Sequence, residues 1–312
     1  MRICLSIALL FLLGSCSRKA YLFTSFREPA NEGLRMLYSY DGYHWERLDT
    51  VLLRPSIGND KIMRDPSMLQ GPDGTFHLVW TTEWKGGNGF GYAKSKDLLH
   101  WEDVKYFPAM LFDPFGPKEP VKSNVVNVWA PELFYDEEKQ DYIIVWASCL
   151  PGKFERGLEE ENNNHRLYYA TTKDFIGFSE TKLFLDPGFS VIDAVIVKRG
   201  VRDYVLVLKD NTRPERNIKV AFGETPQGPW KNVSKPFSDK FTEGPAVVKL
   251  KEEWLIYYDS YQKKIYEASA TKDFIHFENV AGKVNVPEGH KHGTIVTVKK
   301  KMVNDLRKKF KK

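Results

Sequence analysis

A strand–turn–strand unit recurs along this chain, and it constrains the fold more than any other feature. Four copies carry an apolar strand, a polar turn and a second apolar strand, and a fifth copy ends after one strand. The copies are RDPSMLQGPDGTFHLVWTT from position 64, WAPELFYDEEKQDYIIVWAS from 129, VIDAVIVKRGVRDYVLVLKD from 191, TEGPAVVKLKEEWLIYYDS from 242 and KHGTIVTVKK from 291. Internal repeats on this scale are typical of propellers and solenoids.

A second repeated unit lies between these copies, and an aromatic residue starts its last short strand. Its five copies span 38–48, 92–104, 169–181, 221–233 and 268–280, with Trp45, Trp101, Phe178, Trp230 and Phe277 at the aromatic position. Each copy indicates a hairpin with a tight turn. Two hairpins make a blade of four antiparallel strands, so the sequence predicts an all-β, five-bladed β-propeller over residues 21–298.

The incomplete fifth copy predicts how the ring closes. Residues 292–298 offer a single inner strand, whereas residues 21–48 offer three strands without an inner partner, namely YLFTSF, LRMLYSY and WERL. We therefore expect the N-terminal strands to pair with the C-terminal inner strand and to complete the fifth blade. Such closure leaves only short, protected strand edges.

Three carboxylates, Asp65, Asp193 and Glu243, stand at the starts of inner strands. They are interpreted as sharing one phase of the repeat, so we expect them to converge in a funnel on one face of the ring. Taken alone, Asp65 can cap a turn before its proline, and the other two can end loops. However, an Asp in the apolar run VIDAVIV is costly without a polar partner. Convergent carboxylates without a metal motif indicate hydrolysis of a glycosidic bond.

The motifs RDPSM, WAPEL, VIDAV, TEGP and HGT resemble those of glycoside hydrolase family 43, in the same order and over the whole mature chain. The resemblance implies an inverting enzyme with Asp65 as general base, Glu243 as general acid and Asp193 as the residue that tunes the pKa of the acid. Inversion needs room for a water, so the Asp65 and Glu243 carboxyls are expected roughly 6.5–9.5 Å apart. We expect Asp65 to be ionised and the pKa of Glu243 to be raised.

The same resemblance implies activity on plant-type polysaccharide or oligosaccharide, with α-L-arabinofuranosidase as the leading expectation. The alternatives within the family are β-xylosidase and enzymes directed at arabinan or galactan. A related five-bladed family, such as an anhydrogalactosidase or a glycoside phosphorylase, is less favoured because Asp65 stands in the context of a water-activating base. A different class, the non-catalytic glycan-binding propeller, predicts the loss of a catalytic acid, yet all three acids are present.

Four further residues are candidates for contacts in the funnel. Trp84 lies in a loop on the expected active face and Trp129 precedes the second inner strand, so both can stack on a sugar ring, although core packing is an equal alternative for Trp129. Arg213 can hydrogen-bond sugar hydroxyls or form an ion pair at the rim. His292 starts the fifth inner strand, where the resemblance implies substrate contact or a structural Ca²⁺ ion on the axis; one histidine is a weak metal signal. The role of Glu132 is left open, and no other cofactor is implied.

The N-terminus indicates a bacterial lipoprotein. Arg2 is followed by the apolar run 3–13, which is too short to span a membrane, and then by Leu13-Gly14-Ser15-Cys16. This pattern resembles a lipobox, so residues 1–16 are interpreted as a signal segment with Cys16 lipidated. An ordinary secretory signal is the alternative. The residues after Cys16 are not acidic, which favours the periplasmic side over the cell surface.

The C-terminal segment 299–312 is strongly basic, with eight Lys or Arg and one Asp. We predict a solvated tail, because no second basic patch is visible in the rest of the sequence. The chain is therefore expected to bind carbohydrate and no nucleic acid, to meet the membrane only through its lipid anchor, and to be a monomer.

Overall fold

Antiparallel sheets make up almost all of the regular structure in this computed structural model, which describes residues 19–116, 122–157 and 159–310. The predicted signal segment 1–16, with Cys16, lies outside the described residues. None of the helices in those three ranges has the length and apolar character needed to cross a bilayer.

Within the described ranges, short strands follow one another along the chain, and one α-helix follows the last of them. In chain order the strands are β1 (Lys19–Ser25), β2 (Leu34–Ser39), β3 (Glu46–Leu53), β4 (Arg64–Gln70), β5 (Phe76–Thr81), β6 (Phe90–Ser95), β7 (Glu102–Phe107), β8 (Trp129–Asp136), β9 (Asp141–Cys149), β10 (His165–Thr172), β11 (Lys182–Leu185), β12 (Val191–Gly200), β13 (Asp203–Asp210), β14 (Asn217–Gly223), β15 (Thr242–Leu250), β16 (Glu253–Ser260), β17 (Ile265–Thr271), β18 (Glu278–Asn279) and β19 (Ile295–Lys299). The helix, α1, spans Lys300–Phe310, and two 3₁₀ turns span Glu161–Asn163 and Ala281–Lys283.

The strands form five blades, as the repeats predict. Blades 1 to 4 follow the chain as β4–β7, β8–β11, β12–β14 and β15–β18, and blade 5 has the order β19-β1-β2-β3. Blade 3 has three strands, and an isolated bridge between Phe222 and Lys231 takes the place of the fourth. The predicted five-bladed β-propeller is confirmed.

Ring closure follows the predicted scheme. β19 pairs antiparallel with β1, from Lys19 opposite Lys299 to Phe23 opposite Ile295. The strand begins at Ile295, three residues later than the predicted segment 292–298. The first and last strands are thus joined in one sheet, which leaves the ring without an open blade.

In blades 1 to 4 the second strand lies deepest in the core. All six residues of β5, FHLVWT, are buried, and so are eight of the nine residues of β9. Both faces of such a strand pack against neighbouring blades, so its sequence is a continuous apolar run rather than an alternating one. A polar side chain within one of these runs therefore needs a buried partner.

Four inner strands begin with the same backbone distortion. The register against the second strand shifts at this point in every case, which marks a β-bulge. One residue of each bulge adopts a left-handed conformation: Asp65 (φ 49°), Ala130 (φ 46°), Asp193 (φ 51°) and Gly244 (φ 58°). For a residue other than glycine this conformation costs about 1–3 kcal/mol and is often found at functional sites.

The bulges correct the prediction that all three acids share one phase of the repeat. Asp65 and Asp193 occupy equivalent left-handed positions, but Gly244 occupies that position in blade 4, and Glu243 lies one residue earlier. A Cβ atom on Gly244 would lie 2.0 Å from Cγ of His292, so the packing of His292 excludes a carboxylate there. The acid of blade 4 therefore reaches the funnel from the neighbouring position.

The basic segment 299–312 differs from the predicted solvated tail in its described part. Residues 300–310 form α1, and Val303 and Leu306 are buried in the cluster that joins blades 5 and 1. Met302 and Phe310 pack against the same cluster. Apolar residues at spacings of three and four place one face of a helix on the core. A count of charged residues in the segment does not reveal this spacing.

Candidate active site

Asp65 lies at the axial end of β4, between two hydrogen-bond donors. Its Oδ1 lies 2.9 Å from Nε2 of His292, and its Oδ2 accepts a hydrogen bond from Oγ1 of Thr81 at 2.8 Å. Burial opposes the charge, but His292 and the guanidinium of Arg64 outweigh it and hold the pKa of Asp65 below its usual range. Asp65 is therefore an ionised carboxylate, which is the state that a general base requires.

His292 lies on the axis between two carboxylates. Besides its contact with Asp65, its Nδ1 lies 3.8 Å from Oδ2 of Asp259, which is too far for a hydrogen bond. Burial alone would lower the pKa of His292, but the negative charges of Asp259 and Asp65 raise it well above the usual value. His292 is thus a buried imidazolium, and among the described residues its Nδ1 has no hydrogen-bond partner.

Glu243, at the start of β15, forms a shielded ion pair with a lysine of blade 3. Nζ of Lys209 lies 2.8 Å from Oε2 of Glu243, and the Lys209 side chain is only 3% exposed. Burial would raise the pKa of Glu243, but the positive charges of Lys209 and His292 overcome it and lower that pKa to about 2. This direction is opposite to the raised pKa expected for the acid, because the sequence reasoning did not include the buried lysine.

Asp193 faces the same lysine and is bonded to the neighbouring blade. Its Oδ2 accepts a hydrogen bond from the backbone N–H of Gly244 at 3.0 Å. Burial raises the pKa of Asp193, with Lys209 acting against this and Glu243 adding to it. Glu243 and Asp193 in turn keep Lys209 protonated, because their charges raise its pKa despite burial. The ammonium group of Lys209 therefore interacts with the negative charges of both Glu243 and Asp193.

Glu132 is a further carboxyl group that lines the axial cavity with Asp65, Asp193 and His292. Its Oε2 accepts a hydrogen bond from Oγ1 of Thr294 at 3.1 Å. Burial raises its pKa to about 7, and no positively charged side chain contributes to lowering it. Glu132 can therefore hold a proton at neutral pH, in contrast to Asp65 and Glu243.

Two tryptophans form an aromatic platform at the rim. The rings of Trp84 and Trp129 lie 5.0 Å apart, and the indole N–H of Trp129 donates to the backbone oxygen of Trp84 at 2.9 Å. The guanidinium of Arg64 lies over the Trp84 ring at 4.7 Å, and His165 stacks on Trp129 at 4.8 Å. The side chain of Trp84 is 47% exposed, so its ring is accessible from solvent.

Arg213 forms ion pairs at the rim, which is the alternative set out for it above. Its guanidinium lies 2.7 Å from Glu160 and 3.5 Å from the buried carboxylate of Glu159. Glu159 also accepts a hydrogen bond from the Arg213 backbone N–H at 3.0 Å. These contacts tie the loop between β13 and β14 to the long loop after β9.

A match to a protein-family model shows the family to which this propeller belongs. A model described as a probable glycosyl hydrolase domain, related to family 43, matches residues 17–304. The chain belongs to the family-43-related glycosyl hydrolases. Its membership confirms the family expected from the RDPSM, WAPEL, VIDAV, TEGP and HGT motifs, and with it the glycosidase class of the domain.

Known members of this enzyme group resemble the chain in sequence or in fold. An α-L-arabinofuranosidase of Bifidobacterium longum subsp. longum is 29% identical over 156 residues, covering 44% of this chain and 14% of that protein. The chain thus matches a small part of the length of that relative. A β-1,3-galactosidase of family 43, solved with galactodeoxynojirimycin, has a TM-score of 0.58 at 15% identity and covers 84% of this chain and 90% of that one. An α-L-arabinofuranosidase from Lactobacillus brevis has a TM-score of 0.52 at 18% identity, over 70% and 72% of the two chains. At these identities the structural likeness establishes the fold.

The axial donors of this family member fit a calcium ion poorly. Glu243, Asp259 and His292 bring one donor atom each within 4.8 Å of one another. However, Lys209 pairs with Glu243, and Nζ of Lys291 lies 2.8 Å from Oδ2 of Asp259. Two ammonium groups and an imidazolium already balance these carboxylates, and Ca²⁺ prefers a shell of oxygen ligands. The structural Ca²⁺ ion therefore stays a prediction.

Three polar residues of the site were missed by the sequence reasoning, and they share one position. Thr81, Lys209 and Asp259 lie on the second strands of blades 1, 3 and 4, directly opposite the residue before each bulge. The signal was present in the runs HLVWTT, VLVLKD and LIYYDS, where a polar residue ends an apolar strand. A lysine or aspartate at the end of a buried run indicates a charged partner nearby.

Proposed function

We propose that this protein is an inverting glycosidase that removes sugar residues from plant-type polysaccharide or oligosaccharide. The observation that carries the proposal is the ionised Asp65, which two donors hold at the axial end of a strained bulge. A carboxylate in this state can activate water, and Glu243 approaches the same axis from another blade. A general base and a general acid on two sides of one funnel are what inversion requires.

In the proposed reaction, Asp65 removes a proton from a water whose oxygen attacks the anomeric carbon. Glu243 donates a proton to the glycosidic oxygen as the bond to the leaving group breaks. Asp193 adjusts the charge around Glu243, since both carboxylates share Lys209. The products are a free sugar of inverted configuration and a shortened glycan.

Glu243 must gain a proton before it can act as the acid. With Lys209 at 2.8 Å it is an anion, and its pKa of about 2 is far below neutral pH. We infer that a bound sugar weakens this ion pair and that Lys209 then interacts more with Asp193. The pKa of Glu243 rises in the bound state because its main stabilising cation is further away.

The proposed sugar is α-L-arabinofuranose. What supports it is the B. longum relative, which is named as an α-L-arabinofuranosidase. A β-linked galactose is the second candidate, because the structural relative that covers 84% of this chain is a β-1,3-galactosidase. The rings of Trp84 and Trp129 are proposed as a stacking surface for the substrate, with His292 and Arg213 as hydrogen-bond donors to its hydroxyls.

The proposed location is the bacterial envelope, with the chain anchored through lipidated Cys16 on the periplasmic side of a membrane. The anchor is supported by the apolar run 3–13 followed by Leu13-Gly14-Ser15-Cys16. The proposed catalytic unit is one chain, because the carboxylates named for the reaction all belong to it.

A panel of 4-nitrophenyl glycosides tests both the reaction and the sugar. We expect the α-L-arabinofuranoside to be hydrolysed at least about tenfold faster than the β-D-xylopyranoside or the β-D-galactopyranoside, since a mismatched ring loses pocket contacts. Faster hydrolysis of the galactoside would select the second candidate.

Binding measurements separate an enzyme from a glycan-binding propeller. Arabinan and galactan oligosaccharides are titrated into the wild type and into Asp65→Asn, with Asp49→Asn, an exposed carboxylate on β3, as the matched control. Oligosaccharide binding without turnover in all three proteins would contradict the proposed activity.

A further inference from the structure

The basic helix α1 and the start of β1 meet at one place on the propeller. Residues 299–310 carry six Lys or Arg and one Asp. Lys299 pairs directly with Lys19, the first described residue, and α1 begins at the next position. Paired Cα atoms in antiparallel strands lie about 5 Å apart, so the helix begins beside the point where the chain from Cys16 enters the fold.

Side-chain contacts fix α1 to blade 5. The hydroxyl of Tyr40 donates to Oδ1 of Asn304 at 2.6 Å and accepts from Arg307 at 3.0 Å. The ammonium of Lys300 lies over the Tyr40 ring at 5.1 Å. Together with the buried Val303 and Leu306, these contacts hold the helix in one orientation. Its charges therefore belong to the folded body.

The outer side of α1 is positively charged. Lys301, Lys308 and Lys309 are exposed there, and Lys301 pairs with Asp305 at 2.6 Å. The acid that faces the helix from β3 is Glu46, which accepts a short hydrogen bond from Tyr38. The net charge of the outer side of α1 is therefore positive, and Lys299 adds to it.

The strand directions place this surface opposite the funnel. Inner strands begin at the funnel, as Asp65 does for β4, and run away from it. β19 follows the same direction from its start near His292, so Lys299 and the beginning of α1 lie at the far end. β1 is antiparallel to β19, and it therefore begins at this far end as well.

Covalent geometry limits the distance between Cys16 and this surface. Two residues, Ser17 and Arg18, separate Cys16 from Lys19. The three Cα–Cα steps from Cys16 to Lys19 span at most about 11 Å. A lipid on Cys16 would therefore hold Lys19, which is paired with Lys299 beside the start of α1, within about one Debye length of the bilayer surface. Polybasic segments beside a lipid anchor bind anionic headgroups and strengthen the attachment.

The geometry points to a membrane-docking surface formed by α1, which contacts the anionic headgroups of the bilayer that holds lipidated Cys16. Docked in this way, the propeller directs its funnel away from the membrane, toward glycans in the aqueous phase. The inference rests on the proposed anchor at Cys16 and is independent of the proposed glycosidase activity.

Lysine footprinting on vesicles tests the docking surface. The full lipidated protein is inserted from detergent into vesicles of phosphatidylcholine alone or of phosphatidylcholine with phosphatidylglycerol at 3:1, and acetylation is followed by mass spectrometry. We expect Lys301, Lys308 and Lys309 to react at least about threefold more slowly on the anionic vesicles, with the protection lost at high salt. Lys85, in the loop on the funnel side, should react equally on both vesicles.

A pair of charge-reversal variants provides the matched control. Lys308→Glu with Lys309→Glu should abolish the protection of Lys301, whereas Lys235→Glu with Lys240→Glu, an equal charge change between blades 3 and 4, should keep it. Equal acetylation on the two vesicles, or protection of Lys85 in place of the helix, would overturn the inference. Protection of the α1 lysines by soluble polygalacturonate but not by anionic vesicles would also overturn it. Failure of the protein to stay on neutral vesicles would overturn it as well, because it would show that Cys16 carries no lipid anchor. None of these outcomes depends on turnover of a glycoside.

Discussion

The funnel has two halves, a base half around Asp65 and an acid half around Glu243, and a similar ion pair has opposite consequences for catalysis in each. In each half a buried cation faces a carboxylate: His292 faces Asp65 at 2.9 Å, and Lys209 faces Glu243 at 2.8 Å. For a base the ion pair favours the working state, because the carboxylate must be ionised. For an acid it opposes that state, because the carboxylate must be protonated. The base half is therefore ready in this structure, whereas the acid half has to change when substrate binds.

The largest effect is expected in the base half. Asp65→Asn removes the group that accepts the proton of water, so kcat should fall by about 10³-fold. Thr81 and His292 keep their places, and circular dichroism should show an unchanged fold. Turnover within a factor of a few of the wild type would remove Asp65 from its proposed role, and with it the difference between the halves.

In the acid half the effect should depend on the leaving group. Glu243→Gln cannot protonate the glycosidic oxygen, so kcat for a poor leaving group such as an alkyl glycoside should fall by about 10²–10³-fold. The 2,4-dinitrophenolate group of an activated glycoside leaves without protonation, so kcat for that substrate should fall much less. Equal losses for both substrates would assign another role to Glu243.

Glu132 lies in the cavity shared by the two halves, and it should make stability depend on pH. Its folded pKa of about 7 exceeds its ordinary value of 4.5, so the folded protein binds this proton more tightly than the unfolded chain. The associated stability is fully present below about pH 4.5 and is lost as the pH rises through about 7. The unfolding free energy should therefore fall between pH 5 and pH 8 by about 3 kcal/mol more in the wild type than in Glu132→Gln.

Urea denaturation of both proteins at the two pH values measures this difference. The same pH dependence in wild type and Glu132→Gln would show that Glu132 is not the buried titrating group.

The smallest effect is a shift in the pH profile of the acid half. Lys209→Met removes the main cation that lowers the pKa of Glu243, so the alkaline limb of kcat/KM should move upward by at least about one pH unit. Lys291→Met is the matched control, because Lys291 pairs with Asp259 and lowers the pKa of Glu243 less than Lys209 does, so the limb should move less. If the alkaline limb of kcat/KM does not move in Lys209→Met, or moves equally in both variants, the proposed difference between the two halves of the funnel is contradicted.

The sequence predicted the ring because the repeats carry a strong local signal. Strand–turn–strand patterns and turn residues specify blades, and a missing partner strand specifies the closure of β19 on β1. Strand ends differed by a few residues, since hydrogen-bond register decides them. The helical 300–310 segment was missed because its six charged residues obscured the apolar spacing of Val303, Leu306 and Phe310.

The candidate site was only partly predictable, for a reason of geometry. Asp65, Asp193 and Glu243 could be located by motif, but the ionisation of each depends on partners from other blades. Lys209 lies 34 positions from Glu243 in the chain, and His292 contacts Asp65 across the ring. Such long-range pairs leave no local pattern, so the pKa of Glu243 was expected in the wrong direction.

The anomeric configuration of the first-formed product tests the central claim most directly. Proton NMR within the first minutes of hydrolysis, before mutarotation, identifies the anomer released from a glycoside of known configuration. Attack by a water that Asp65 activates predicts an inverted product from the wild type. A product of retained configuration would contradict the account, because it requires a carboxylate that attacks the sugar itself.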